Sequence, residues 1–142
     1  MNKLKILLSL ALITITLSIT AKEVVDCAHK QIGVPYKSGG ISPKTGFDCS
    51  GLAFYCHKKN IPRSPQAQAG KNKIKVKDKK PGDLLFFDCG GKGRISHTVI
   101  YIGNNEFIEA PLPGMKVRRH KMNPRYCGGR IVSASRYWKD KN

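Results

Sequence analysis

Three residues of the chain have the types and spacing of a thiol-based acyl-transfer site: Cys49, His97 and Glu109. Cys49 sits in Thr45-Gly46-Phe47-Asp48-Cys49-Ser50-Gly51-Leu52-Ala53-Phe54-Tyr55-Cys56, a loop that runs straight into a helix. Gly46 loosens the backbone, and Asp48 is a good N-cap whose carboxylate can accept from an unpaired amide of the first turn. Cys49 then holds the first helical position, where free amides and the positive end of the macrodipole favour a thiolate. Cys49, Leu52, Ala53 and Cys56 recur at i, i+3, i+4 and i+7 and predict one buried face. A cysteine that opens such a stripe stands at the mouth of the core, within reach of solvent. A small buried cysteine is the commoner fate of the residue type, so Cys49 needs a base and an orienting group downstream. His97, at the start of the strongest strand pattern, is the candidate base. A neutral imidazole there can take the thiol proton and hold the thiolate as an ion pair. His29 and His57 fall in charged, helical surroundings and His120 in a basic loop. Glu109 is an acid among Phe107, Ile108 and Ala110. A buried carboxylate needs a partner, and the second nitrogen of His97 would be one, as in a catalytic triad. The alternative is that strand alternation turns Glu109 out to solvent.

These groups must be placed by the elements around them. Glu23 to Ile32 predicts a short helix with Val24, Val25, Ala28 and Ile32 on its apolar face, stopped by Gly33. Val34 to Gly40 is an extended, turn-rich connection in which Tyr36 either lines a site or caps the core. The Cys49 helix is expected to end near Lys58-Lys59-Asn60. Ser64 to Gly70 is a further helical turn with serine as N-cap and proline at the first position. Lys71 to Lys80 reads as a solvated edge or loop. Leu84-Leu85-Phe86-Phe87 is a strand buried on both faces, and Cys89 to Gly93 is a loop. Ser96 to Gly103 is a second strand, Asn104-Asn105 a tight hairpin turn, and Glu106 to Ala110 the returning strand. Met115 to Arg119 and Arg130 to Tyr137 would complete a meander. Helices first and antiparallel strands after them define an α+β class.

Composition bounds the rest. Met1 to Ala21 has two early lysines, a short apolar run and small residues near its end, the pattern of a secretory signal peptide cleaved near Ala21. The run is too short and threonine-rich for a good membrane span, so no stable membrane insertion is expected once it is removed. Residues 22–142 make one small domain. Loss of Lys3 and Lys5 lowers the net charge from +17 to +15. Such a charge on an exported chain suits an anionic partner such as wall polymer, or only solubility. Nucleic acid is a poor partner for it, and no nucleic-acid motif is present. Five cysteines leave at least one thiol unpaired, and no CxxC spacing supports zinc. Cys49 and Cys56 lie roughly 10 Å apart along a regular helix, too far for a disulfide. Location favours Cys27–Cys56, on neighbouring helices, and Cys89–Cys127, each before Gly-Gly. The competing reading leaves Cys27 and Cys56 as reduced core thiols.

Four stretches, Gly33 to Gly40, Phe47 to Leu52, Pro81 to Phe87 and Ser96 to Gly103, together resemble the NlpC family of bacterial cell-wall cysteine peptidases, in the same order along the chain. The resemblance implies a papain-like fold, with N-terminal helices on an antiparallel sheet. It also implies hydrolysis of stem-peptide amides of peptidoglycan, often between γ-D-glutamyl and a diamino acid. In that light Cys49 is the nucleophile, His97 the base and Glu109 its orienting partner. Tyr36 matches the family tyrosine of the active site, and Asp48 and Ser50 match positions that receive the amino end of a stem peptide. No metal or cofactor is implied, and a secreted monomer acting on peptidoglycan or muropeptides is expected. Two departures stand out: Glu109 replaces the usual His, Asn or Gln, and Thr98-Val99 stands where many members have a smaller pair, which would narrow the cleft. Alternatives are a related papain-like amidase or acyltransferase and an inactive cationic wall-binding protein. If the charge draws the chain to wall polymer, binding to whole sacculi should weaken steeply between low salt and physiological salt, where screening shortens to ~8 Å. Salt-insensitive binding would leave the charge as a solubility feature.

Overall fold

Capping residues and turn residues set most element boundaries in the computed structural model, which describes residues 18–140. The expected signal peptide lies mostly outside these residues; its last positions, Ser18 to Ala21, lead into the first helix. That helix, α1 (Ala21–Lys30), opens with a capping box in which Thr20 Oγ1 accepts from the Glu23 amide and Glu23 accepts from the Thr20 amide. It stops short of the expected Ile32, which is 45% exposed, while Gln31 takes the buried place. The cause is the Gly33 amide, which donates to the Val117 carbonyl and draws the chain out of the helix.

A two-residue hairpin, β1 (Ile41–Ser42) and β2 (Gly46–Phe47), precedes α2 (Cys49–Cys56). Asp48 caps α2, with Oδ1 accepting from the Gly51 amide at 2.7 Å; such a cap contributes ~1 kcal/mol. A Cβ on Gly51 would stand 2.0 Å from the Gly40 carbonyl oxygen. Only glycine there lets the preceding loop lie against the first turn. The helix ends at Cys56, earlier than expected, because Lys58 and Lys59 adopt left-handed φ of 54° and 60°. The short α3 (Pro65–Ala69) has the Ser64 cap and Pro65 start read from the sequence.

The main sheet holds β3 (Lys73–Ile74), β4 (Leu84–Phe87), β5 (His97–Gly103), β6 (Glu106–Glu109), β7 (Arg118–Lys121) and β8 (Ser133–Ser135) in the order β3-β8-β4-β5-β6-β7, all pairs antiparallel. Asn104 and Asn105 turn β5 into β6 with φ of 52° and 60°. The expected meander is therefore correct only from β4 to β7. The last strand crosses back to pair with β3 and β4, and polar anchors explain why: Arg136 and Trp138 both donate to the fully buried Asp83, and Tyr137 donates to the Gln68 carbonyl. Both open edges, β3 and β7, carry exposed lysine or arginine. Leu84 and Phe86 face α1 and α2, whereas Leu85 and Phe87 pack with Val99, Phe107 and Tyr126 on the other face. This two-sided cover accounts for the unbroken apolar run of β4.

Two disulfides, Cys27–Cys56 and Cys89–Cys127, leave Cys49 as the free cysteine among the described residues. The first ties α1 to α2 and the second ties the β4–β5 loop to the turn at Cys127–Gly129. No described helix is long and apolar enough to cross a membrane.

His57 is the clearest correction: it is buried rather than set among surface charges. Its Nδ1–H donates to the Ala53 carbonyl at 2.7 Å and Nε2 has no partner among the described residues. Burial therefore disfavours the cation and lowers its pKa to about 4. The unfolded chain takes up this proton below about 6.5 and the folded chain only below about 4, so folding loses stability as pH falls across that window. The contribution is about 3 kcal/mol. Denaturant unfolding between pH 7 and 4 should show a steeper loss for the native chain than for His57→Phe; parallel curves would contradict this account.

Candidate active site

The N-terminus of α2 and the start of β5 meet at the end of the sheet, and Gln68 of α3 fixes how they meet. Its amide nitrogen donates to the Ser50 and Pro62 carbonyls, and its oxygen accepts from the Thr98 hydroxyl. Thr98 is thereby turned inward to Gln68. It does not narrow the cleft beside His97, contrary to the sequence expectation.

His97 and Glu109 lie across the β5–β6 hairpin on the same sheet face as Val99 and Phe107. His97 Nε2 is 3.0 Å from Glu109 Oε1. Cys49 lines the same cleft as the ring, and its sulfur feels both the imidazole and the Thr98 backbone amide. Glu109 is 1% exposed and does not alternate outward. Besides His97 it accepts from the Tyr126 hydroxyl at 2.5 Å on Oε1 and from Arg118 Nε at 3.3 Å on Oε2. The sequence reading missed both donors. Tyr126 stands in a loop without periodicity, and Arg118 is one of many cations. Their only signal was that a buried carboxylate requires more than one donor.

The electrostatics follow from this placement. Burial alone would raise the Cys49 pKa, but the hydrogen bond and charge of His97 outweigh it and carry the thiol below its usual value. Burial alone would lower the His97 pKa, but Cys49 and Glu109 together hold the imidazolium up to about 9. Burial also works against the Glu109 carboxylate, yet His97 and Tyr126 keep it below the ordinary carboxylate range. The surroundings of the three groups thus favour thiolate, imidazolium and carboxylate forms together.

The site opens into a cleft of about 370 Å³ whose walls include Tyr36, Cys49, His97, Leu112, Arg118 and the Cys89–Cys127 bridge. Tyr36 is half-buried at this wall and also packs against the core. A larger hollow of about 600 Å³ lies beside α1, but its cysteines are bridged and its lining holds no base beside a free thiol. Asp48 and Ser50 are not on the cleft wall. Arg63, also unrecognised from sequence, donates NH2 to Asp48 Oδ2 at 2.6 Å and NH1 to Ser50 Oγ at 2.8 Å. Asp48 Oδ2 also accepts from the Gly39 amide, and the Asp48 side chain keeps 17% exposure. Among the described residues no cluster of His, Cys, Asp and Glu is arranged to hold a metal ion.

Known proteins share this architecture. Over 122 residues the chain is 37% identical to the murein DD-endopeptidase MepH of Escherichia coli K12, covering 81% of this chain and 45% of that protein. Over 123 residues it is 39% identical to the gamma-DL-glutamyl hydrolase of Bacillus subtilis 168, covering 83% of this chain and 27% of that one. The chain thus spans less than half the length of these curated relatives. A crystal structure of an NlpC/P60 family protein from Bacillus cereus ATCC 10987 superposes with a TM-score of 0.77 at 28% identity, covering 86% of this chain and 41% of the other. The model of the NlpC/P60 family matches residues 33–136, a stretch that takes in every residue of the cleft, and by that match the chain belongs to the NlpC/P60 family.

Proposed function

We propose that the chain is a cysteine peptidase that hydrolyses amide bonds in the stem peptides of peptidoglycan, with Cys49 as nucleophile, His97 as acid and base, and Glu109 as the partner of His97. One observation carries the reading: a free thiol at a helix start, His97 and a buried carboxylate bonded to His97 line one cleft. The E. coli and B. subtilis relatives, a murein endopeptidase and a γ-glutamyl hydrolase, support the substrate class. Within that class we favour the bond between γ-D-glutamyl and a diamino acid. Export by an N-terminal signal peptide agrees with the two disulfides.

The thiolate of Cys49 attacks the amide carbon, and the electron pair of the carbonyl moves onto oxygen. The Cys49 amide, which at the first helical position has no intrahelical acceptor, donates to that oxyanion. Collapse breaks the C–N bond, and the His97 imidazolium gives its proton to the leaving amine. His97, now neutral, takes a proton from water as the water attacks the thioester. The acid product leaves and the thiolate–imidazolium pair is restored. Arg118, whose side chain is 37% exposed at the cleft, has only Nε engaged among the described residues. Its remaining guanidinium suits a carboxylate of the stem peptide. Tyr36 supplies an aromatic wall. Asp48 is proposed to receive the amino end of the substrate in competition with Arg63, and Ser50 acts by holding Arg63.

Cys49→Ala should abolish release of new amines from purified muropeptides while the fold is retained, and His97→Ala should do nearly the same. Mass spectrometry of the digest identifies the bond. Folded protein with full hydrolysis in the Cys49 variant would remove the nucleophile assignment, and an inert native chain that binds sacculi would favour the non-catalytic alternative. The reactive pair exists above the lowered pKa of Cys49 and below that of His97, so turnover should fall as pH rises through about 9. Glu109→Gln keeps an acceptor but loses the charge, so turnover should drop modestly and the basic limb should move down toward the ordinary histidine value. Glu109→Leu should cost more, up to ~10²–10⁴-fold. Identical profiles for all three forms would show that Glu109 has no part in supporting His97.

A further inference from the structure

We propose that Tyr126 is a positioning residue for the Glu109–His97 pair and that the Cys89–Cys127 disulfide seats it, so that the site is fully assembled only in the oxidised chain. The inference rests on the reading of Cys49 and His97 as nucleophile and base.

The Tyr126 hydroxyl donates to the same oxygen of Glu109 that faces His97 Nε2. It is a second donor on that oxygen, and its ring lies beside the imidazole with centroids 6.2 Å apart. The ring stands edge-on to Phe87 at 85° with centroids 5.1 Å apart and lies 5.0 Å from the Phe107 ring. It is thereby part of the cover that keeps water from Glu109. The segment carrying it is irregular, held by packing and by few hydrogen bonds to the rest of the chain. Met122 donates to the Asn105 carbonyl at one end and Val132 to the Phe86 carbonyl at the other. Between them the Asn123 side chain reaches back to His120 and to the Lys121 carbonyl, and the backbone hydrogen bonds are internal, such as Tyr126 to the Asn123 carbonyl and Gly129 to the Tyr126 carbonyl. Beyond Asn123, the Tyr126 hydroxyl and the disulfide tie the segment outward, alongside the packing of Tyr126 and Ile131 on the sheet.

The turn itself is not self-supporting. Cys127, Gly128 and Gly129 are three consecutive residues at φ of 42°, 79° and 73°. A non-glycine residue in that region is held there by its surroundings. Here the holding link is the bond to Cys89, two residues beyond Phe87, which is the register partner of His97. One covalent bond therefore joins the neighbour of Tyr126 to the strand end opposite the base.

The bridge also lines the cleft, where a small dithiol reductant can reach it. A thiolate of the dithiol attacks one sulfur and releases the other cysteine. The second thiol of the reductant then closes its own disulfide. Two electrons and two protons pass to Cys89 and Cys127. Freed of the bridge, the turn relaxes, Tyr126 withdraws and water reaches Glu109. The Cys27–Cys56 bridge lies against the separate hollow beside α1 and has no such tie to the base. The titratable and charged groups facing the pair are Cys49 from α2, Arg118 from β7 and Tyr126 itself, with His120 against the outer side of the Tyr126 ring.

The test is a double-mutant cycle on Tyr126→Phe and the paired change Cys89→Ser with Cys127→Ser. Two readouts are taken: kcat and KM on a soluble muropeptide, and the rate of Cys49 alkylation by iodoacetamide at pH 7, which needs no substrate. Circular dichroism checks the fold. Each change should lower kcat and the alkylation rate roughly tenfold, the scale of one hydrogen bond to a charged group, with KM little altered. Combined, they should cost no more than either alone, because Tyr126 is already unseated without the bridge. Losses that multiply would overturn the proposal, as would a Tyr126→Phe protein with native alkylation and kcat. The second result is decisive even if the serine variant does not fold. Removing Cys27 and Cys56 should cost thermal stability without slowing alkylation. If the native chain cuts no muropeptide, the reading of its substrate fails, while the alkylation cycle still decides the role of Tyr126.

Discussion

A carboxylate enclosed by protein must be surrounded by donors or it will not stay ionised, since an uncompensated buried charge costs several kcal/mol. Glu109 meets that condition with three partners from three separate parts of the chain: His97 at the start of β5, Arg118 on β7 and Tyr126 in the loop before β8. Each must be within hydrogen-bonding distance at once. The relative placement of hairpin, edge strand and loop therefore answers to one charge. Removing one donor leaves the carboxylate in a poorer environment and the remaining partners in altered geometry.

The other half of the site depends on a neutral hub. Gln68 lies fully buried between the first turn of α2 and the strand that presents His97, with its amide divided between the Ser50 and Pro62 carbonyls and the Thr98 hydroxyl. The thiol and the imidazole come from elements far apart in sequence. Holding them side by side requires a rigid spacer, and a planar amide with both ends engaged is one. Arg63 does similar work at the surface by tying Asp48 to Ser50.

What could be read from the sequence was what obeys local rules. Asp48 before Cys49, Ser64 before Pro65 and the Asn104-Asn105 turn each act within a few residues, and each is found where the pattern put it. The continuous apolar run of β4 gave its two-sided burial for the same reason. His97 and Glu109 were legible as a pair because they flank a short hairpin. Arg63, Gln68, Arg118 and Tyr126 were not, since a lone polar residue shows no period and its meaning depends on what the fold brings to it. The return of β8 to the far side of the sheet was hidden likewise: Asp83, which anchors Arg136 and Trp138, is more than fifty residues away from them. His57 misled for the opposite reason, because its neighbours Lys58 and Lys59 turn to solvent while its own ring turns inward.

The basic character of the two open sheet edges has a consequence for copies of the chain meeting one another. A strand edge offers unpaired backbone groups to any other strand, and edge-to-edge pairing is a general route to aggregation. Here β3 continues into Lys75 and Lys77, and β7 carries Arg119 and Lys121, all exposed. Docking β3 of one copy on β7 of the next, or either edge on itself, would bring rows of like charge together across less than 5 Å of backbone spacing. The cations thereby act as guards against strand addition, and they let the six-stranded sheet keep both edges open among the described residues.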